Sequence, residues 1–190
     1  MSKAVMLSVR PKWCEKIING DKTIEVRKTR PKMDTPFKCY IYCTLPKYPH
    51  EDFIATNYTR PQFYGGGKVV GEFTCDRIDW ITHIGYTGIT NLVETRICDA
   101  ATMRTSPTGG LLNAACLTPK MLNDYLAGGD GYGWHISDLR IYGAPRELSE
   151  FERPYECNEC DAKWATECNA CHEEGKIKRP PQSWCYVEEG

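Results

Sequence analysis

Lys22, Glu25 and Arg27 place two cations and a carboxylate within a few residues, and their spacing decides what they could do together. Side chains alternate between faces along a strand, so Glu25 and Arg27 share one face and Ile24 and Val26 the other. A carboxylate beside a guanidinium can accept from an exocyclic amine such as that of cytosine. The guanidinium and the Lys22 ammonium can hold a phosphate or a base edge. Lys22 and Glu25 could also exchange protons if burial moved both groups toward neutrality. The bland alternative is a solvated strand face of mixed charge.

Four cysteines make the second constellation. Cys157-x2-Cys160-x7-Cys168-x2-Cys171 offers four thiolates in two C-x-x-C knuckles, the soft tetrahedral set that structural Zn2+ takes. Few apolar residues lie nearby, so a metal staple makes sense of the segment. A full protein set leaves no open coordination position, which argues against a catalytic metal. An iron–sulfur cluster or redox thiols are the alternatives. Cys168-Asn169-Ala170-Cys171-His172 also spells the c-type haem attachment pattern. That chemistry needs an exported chain, and no export signal is evident here. His172 reads as a neighbour, or as a substitute if Cys160 or Cys171 is not a ligand. The remaining cysteines read mostly as small buried residues.

These side chains need elements to position them. Lys3–Val9 reads as a strand, and Pro11–Asn19 as a short helix opened by Pro11 and stopped at Asn19-Gly20. The motif strand follows from Thr23 to Arg27, and Phe37–Cys43 is another strand. Residues 45–67 read as a long loop, and 68–81 as one long strand bent at Gly71. Residues 82–117 show no firm period and read as an irregular excursion. Thr118 caps a helix that Pro119 opens and Gly128-Gly129 ends. Strands are expected over 133–142 and 182–188. The whole predicts an α+β fold: a small, mixed, partly open barrel with two or more helices. Residues 1–190 form one domain in this reading, with the cysteine segment 154–180 inserted before the closing strand.

Gly20, Lys22, Glu25 and Arg27 match G-x-K-x-x-E-x-R, and the chain resembles the ASCH domain family of the PUA-like superfamily on that motif. Leu7–Pro11, Gly133–Leu139 and Pro181–Val187 resemble the same family, particularly its phage and firmicute-type members. The resemblance implies a PUA-like barrel with a cleft between the motif and the Trp134 region, suited to RNA or a modified nucleotide. Arg10 and Trp134 then join Lys22, Glu25 and Arg27 as ligand-binding candidates. Trp13, Tyr132 or Trp134 could stack on an unpaired base, with core packing as the alternative for each. His135 alternates to the opposite face from Trp134, one of the two being buried, and is not read as catalytic. One branch of the family hydrolyses N4-acylated cytidines, and other members resemble ribonucleases. In the amidohydrolase branch the motif lysine works with a threonine three residues on, where this chain has Glu25. The functions weighed are therefore a nucleotide-binding module, a hydrolase using Lys22 and Glu25, and a scaffold recruiting a protein partner through the zinc segment.

Composition narrows these classes. Residues 1–40 hold ten Lys and Arg against four Asp and Glu, and the remainder holds 14 against 21. A basic amino-terminal fifth favours an anionic partner, while the acidic remainder argues against wholesale phosphate-backbone binding. No apolar run reaches the roughly 20 residues of a membrane span, and a cytoplasmic chain is expected.

Overall fold

The computed structural model describes residues 3–48, 53–54, 63–85, 93–98, 105–154 and 175–189. They fall into two compact units that interleave along the chain. The first takes residues 1–19, 37–74 and 138–190, and the second takes 20–36 and 75–137.

The first unit is built on a five-stranded sheet. Strand β1 (Lys3–Val9) is buried from Ala4 onward. It runs parallel to β3 (Phe37–Cys43) and antiparallel to β12 (Trp184–Glu188), with Leu7 opposite both Ile41 and Trp184. Strands β6 (Lys68–Cys75) and β11 (Ser137–Arg146) complete the order β11-β6-β3-β1-β12. Helix α1 (Pro11–Ile18) packs on β3, burying Cys14, Ile17 and Ile18 and leaving Trp13 half-buried. The core joins Met6, Tyr40, Tyr42 and Val69 to Phe151 and Ile177. The last two flank the cysteine-bearing segment. Arg153 donates to the Gly175 carbonyl and Ile177 to that of Phe151, each at 2.9 Å, so the two arms of that segment are clamped at their base.

The second unit holds the motif. Its sheet runs β2 (Ile24–Arg27), β10 (Gly131–His135), β7 (Ile78–Gly85), β8 (Val93–Cys98) and β9 (Thr105–Pro107). Two helices cover it, α2 (Gly109–Ala114) and α3 (Pro119–Leu126). The Thr118 hydroxyl accepts from the Met121 N–H at 3.2 Å, the expected cap. Ile24 and Val26 meet Leu111, Leu112, Leu122 and Leu126 in a core of their own.

The α+β class is as expected, and several boundaries are not. Residues 68–81 are two strands that break at Asp76-Arg77, and the first runs unbroken through Gly71. Gly71 is required by close packing: a Cβ there would stand 2.5 Å from the Arg140 carbonyl of the neighbouring strand. The irregular excursion at 82–117 contains the end of β7, both β8 and β9, and α2. Val93–Cys98 alternates only briefly, and it pairs antiparallel with β7, the strand just before it in the chain. Residues 45–67 include a two-stranded pairing of β4 (Phe53–Ile54) and β5 (Phe63–Tyr64). The strand expected over 133–142 divides at Ile136. Three α-helices stand among the described residues, in keeping with the two or more expected.

Candidate functional site

Alternation along β2 and β10 gives the second unit two chemically different faces. On one, Glu25 lies directly across the strands from Trp134, and Arg27 across from Tyr132. Glu25 Oε1 meets Arg27 Nη2 at 2.9 Å, and its Oε2 meets Lys22 Nζ at 3.2 Å. The Lys22 ammonium also donates to the Ala115 carbonyl at the end of α2, at 2.8 Å. All three charged side chains are buried, at 3%, 7% and 7% exposure for Lys22, Glu25 and Arg27. The solvated strand face is thereby overturned: β2 is buried on both sides. Charges taken out of water persist when they are paired and hydrogen-bonded, and these are.

The opposite face carries a cleft of about 430 Å³, within the range of small-molecule sites. Its apolar wall comes from Ile24, Ile97, Leu111, Ala114 and Ile136, and its polar rim from Thr23, Asp76, Arg77, Asp79 and His135. Gly133 makes room for that wall, since a Cβ there would approach Leu111 to 2.9 Å and Ile24 to 3.2 Å. The pairing of β7 with β10 sets Gly133 opposite Asp79, and the His135 N–H donates to the Arg77 carbonyl at 3.0 Å.

Three rim side chains form a compact cluster. His135 Nε2 stands 2.8 Å from Asp79 Oδ2 and 2.9 Å from Arg77 Nη2, while Arg77 Nε reaches Asp79 Oδ1 at 3.2 Å. A proton on Nε2 satisfies Asp79 but opposes the Arg77 N–H. A bare Nε2 accepts from Arg77 but faces the carboxylate. One imidazole nitrogen cannot serve both. Arg77, 65% exposed against 18% for Asp79 and 21% for His135, is the member able to move to another acceptor. Burial pushes the Asp79 carboxyl up, but hydrogen bonds and charge from His135 and Arg77 outweigh it, holding the carboxyl below its ordinary value. The adjacent Cys75 thiol is pushed up to about 12, by burial first and then by the Asp76 charge, so it is no thiolate nucleophile near neutral pH.

Solved structures similar over nearly the whole chain include the ASCH protein of Zymomonas mobilis. It is 16% identical with a TM-score of 0.53, covering 98% of this chain and 88% of that one. Two variants of the same protein also match. The Tyr→Phe form is 17% identical with a TM-score of 0.54, covering 99% and 92% of the two chains. The Ser→Ala form has the same identity and TM-score, covering 98% and 89%. The fold is that of an ASCH domain. No protein-family model matches the chain, and no curated protein is detectably similar in sequence.

Within this ASCH fold the candidate residues separate. Lys22, Glu25 and Arg27 come together as the buried network. Trp134 sits beside them with no exposed surface, which is the core-packing alternative and leaves no ring face for a base. Arg10 is exposed in the first unit, where its carbonyl accepts from Trp13 and Cys14 at the start of α1. Cys157, Cys160, Cys168, Cys171 and His172 lie outside the described residues. Among the described residues no group of His, Cys, Asp and Glu is placed to hold a metal, and no helix is long and apolar enough to cross a membrane. Cys14, Cys39, Cys43 and Cys75 are buried, as expected of structural cysteines.

Reading the sequence alone missed Arg77 and Asp79. Their signal is alternation: two charged residues flank Ile78 immediately after a strand that ends at Cys75.

Proposed function

We propose that this chain is an ASCH-type domain that binds RNA or a modified nucleotide by admitting one unpaired base to the cleft of its second unit. The carrying observation is the cleft itself, with an apolar wall for a flat ring and an Arg77–Asp79–His135 rim for its edge. Asp79 would accept from an exocyclic amine, and Arg77 would turn from His135 to a ring carbonyl or nitrogen. Lys22, Glu25 and Arg27 hold the motif strand and the end of α2 beneath this site and do not contact the base. Calorimetric titration with the four nucleoside monophosphates tests the reading. Arg77→Ala and Asp79→Asn should each weaken the preferred one about tenfold, the scale of one polar base contact. Unchanged affinity in both variants would overturn it.

A hydrolase acting on N4-acylated cytidine or RNA is the second reading. Its support is a buried ammonium and carboxylate 3.2 Å apart. Against it, Lys22 is committed to Ala115 and Glu25 to Arg27. A product that the wild type forms from N4-acetylcytidine or a short RNA, and Lys22→Met does not, would install this reading in place of the first.

The proposal includes a structural Zn2+ on Cys157, Cys160, Cys168 and Cys171. Its support is the soft donor set and the clamp that Phe151–Arg153 and Gly175–Ile177 form at the base of the segment. A protein partner for this segment has no observation behind it among the described residues.

A further inference from the structure

The second unit carries another cluster, at the far end of the strand pair that bears the cleft. Its register sets Ile24 opposite His135 at the cleft end and Arg27 opposite Tyr132 at the other, three residues or about 10 Å along. The chain leaves β2 there with Lys28 and Arg30, both exposed. Among the described residues neither is paired with a carboxylate. Lys28 Nζ lies 5.4 Å from the centre of the Tyr125 ring, and the Arg30 guanidinium lies 5.8 Å from that of Tyr132.

Tyr125 is one of the few large apolar side chains exposed among the described residues, at 41%, with Met121 one helical turn before it at 37%. The carboxylate beside it, Asp124, is occupied by Lys120 at 2.6 Å. Tyr132 is half-buried. Two cations resting on tyrosine faces, without counter-ions, are held weakly and can be recruited by stronger acceptors. Two tyrosines, Tyr125 on α3 and Tyr132 on β10, offer π-faces on which unpaired bases stack. Asp34 and Asp130 are also exposed in this part of the chain, so the net charge is modest and stacking carries much of the recognition.

We infer that Lys28, Arg30, Tyr125 and Tyr132 form a track for single-stranded nucleic acid, the two cations taking backbone phosphates and the two tyrosines taking bases. The inference rests on the cleft as a base pocket and specifies the ligand further: a polynucleotide that places one base in the cleft and passes round the edge strand β2 to the track, since Tyr132 lies on the face opposite the cleft. A free nucleoside would leave the track empty.

Fluorescence anisotropy with labelled oligocytidine and oligodeoxycytidine of about ten nucleotides tests this on the full chain, beside calorimetry with cytidine monophosphate, since cytosine carries the exocyclic amine that Asp79 would accept from. The oligonucleotide should bind at least tenfold more tightly than the mononucleotide. Lys28→Ala/Arg30→Ala should lower the slope of log affinity against log salt by about 1.4, roughly 0.7 for each single-strand phosphate no longer neutralised. Tyr125→Ala should weaken the oligonucleotide about tenfold, the scale of one base–aromatic stack. Mononucleotide affinity should hold in both variants. Equal weakening on both oligonucleotides supports a track indifferent to the sugar, and weakening on oligocytidine alone supports an RNA track. Oligonucleotide binding untouched by either variant, or no tighter than the mononucleotide, would overturn the track and leave the cleft standing. Failure of every nucleotide to bind would overturn the cleft and the track with it.

Discussion

Lys22 and Ala115 lie 93 positions apart in the chain, and the Lys22 ammonium donates to the Ala115 carbonyl at 2.8 Å. The contact explains why a lysine belongs just ahead of the motif strand. The carbonyls ending α2 lack helical partners, and a cation there satisfies one of them and suits the local dipole. The same ammonium neutralises Glu25, so one side chain ties the strand to the helix that walls the cleft. Lys22→Met keeps the aliphatic stem and removes the charge, leaving Glu25 with Arg27 alone. Breaking a buried charge pair costs about 3–5 kcal/mol, and the surviving Arg27 contact places this variant near the lower end. Urea unfolding should show the effect as a lower midpoint. A midpoint unchanged from the wild type would mean the network does not carry stability.

The Asp79 carboxyl sits below its ordinary value in the fold because His135 and Arg77 favour its charged form. A carboxyl that is more acidic folded than unfolded stabilises the protein above its unfolded value, near pH 4, and loses that contribution as pH falls through the lower folded value. Asp79→Asn cannot titrate, so the acid-side fall in stability should be shallower in the variant, and the difference should lie below about pH 4. Thermal unfolding measured between pH 6 and pH 3 reads this directly. Parallel wild-type and variant curves would show that Asp79 does not contribute to acid sensitivity.

Gly71 gives a cleaner steric prediction. The atom its missing Cβ would strike, at 2.5 Å, is the main-chain oxygen of Arg140, and Ile141 crowds the same space at 3.1 Å. A flexible side chain could swing aside, but a strand carbonyl cannot move without disturbing its ladder. Gly71→Ala should therefore cost about 1–3 kcal/mol, against a small gain from reduced chain entropy in the unfolded state. Chemical denaturation would check the sign. A stabilised variant would show that β6 and β11 separate more easily than their approach implies.

Some of this architecture was legible from local chemistry. Pro11 and Gly20 bound α1, Thr118 and Gly128 bound α3, and the aromatic run Phe37–Cys43 is β3 in full. Such signals act within a few residues and do not depend on what packs nearby. The strands β8 and β9 were not legible, because their stability comes from β7 and from each other rather than from their own sequences. The motif was half legible. Alternation put Glu25 and Arg27 on a common face correctly, but it could not say that this face is buried, because Ala115 and Trp134 lie some 90 to 110 residues downstream. The cleft rim was hidden for the same reason. Arg77 and Asp79 acquire meaning only when β7 pairs with β10 and brings them to His135.

Zinc can be tested apart from nucleotide binding. Phe151 and Ile177 belong to the core of the first unit, Phe151 packing edge-on against Tyr40 with ring centres 4.9 Å apart, and the cysteine segment runs between them. Closing that segment with a metal would restrain the arms that the Arg153–Gly175 and Ile177–Phe151 hydrogen bonds hold together. Protein purified without chelator should therefore release about one zinc per chain when a mercurial displaces its thiolates, as a four-thiolate site requires. Cys157→Ser/Cys168→Ser should abolish the release and Cys116→Ser should not. His172→Ala should leave it intact if all four cysteines are ligands, and should lower it if the histidine replaces one. Metal removal should also speed amide exchange at Arg153 and Ile177 before it affects β1 or β3, because those two amides close the base of the segment. Metal-free protein as isolated, or zinc retained in the double variant, would remove Cys157, Cys160, Cys168 and Cys171 as a zinc site.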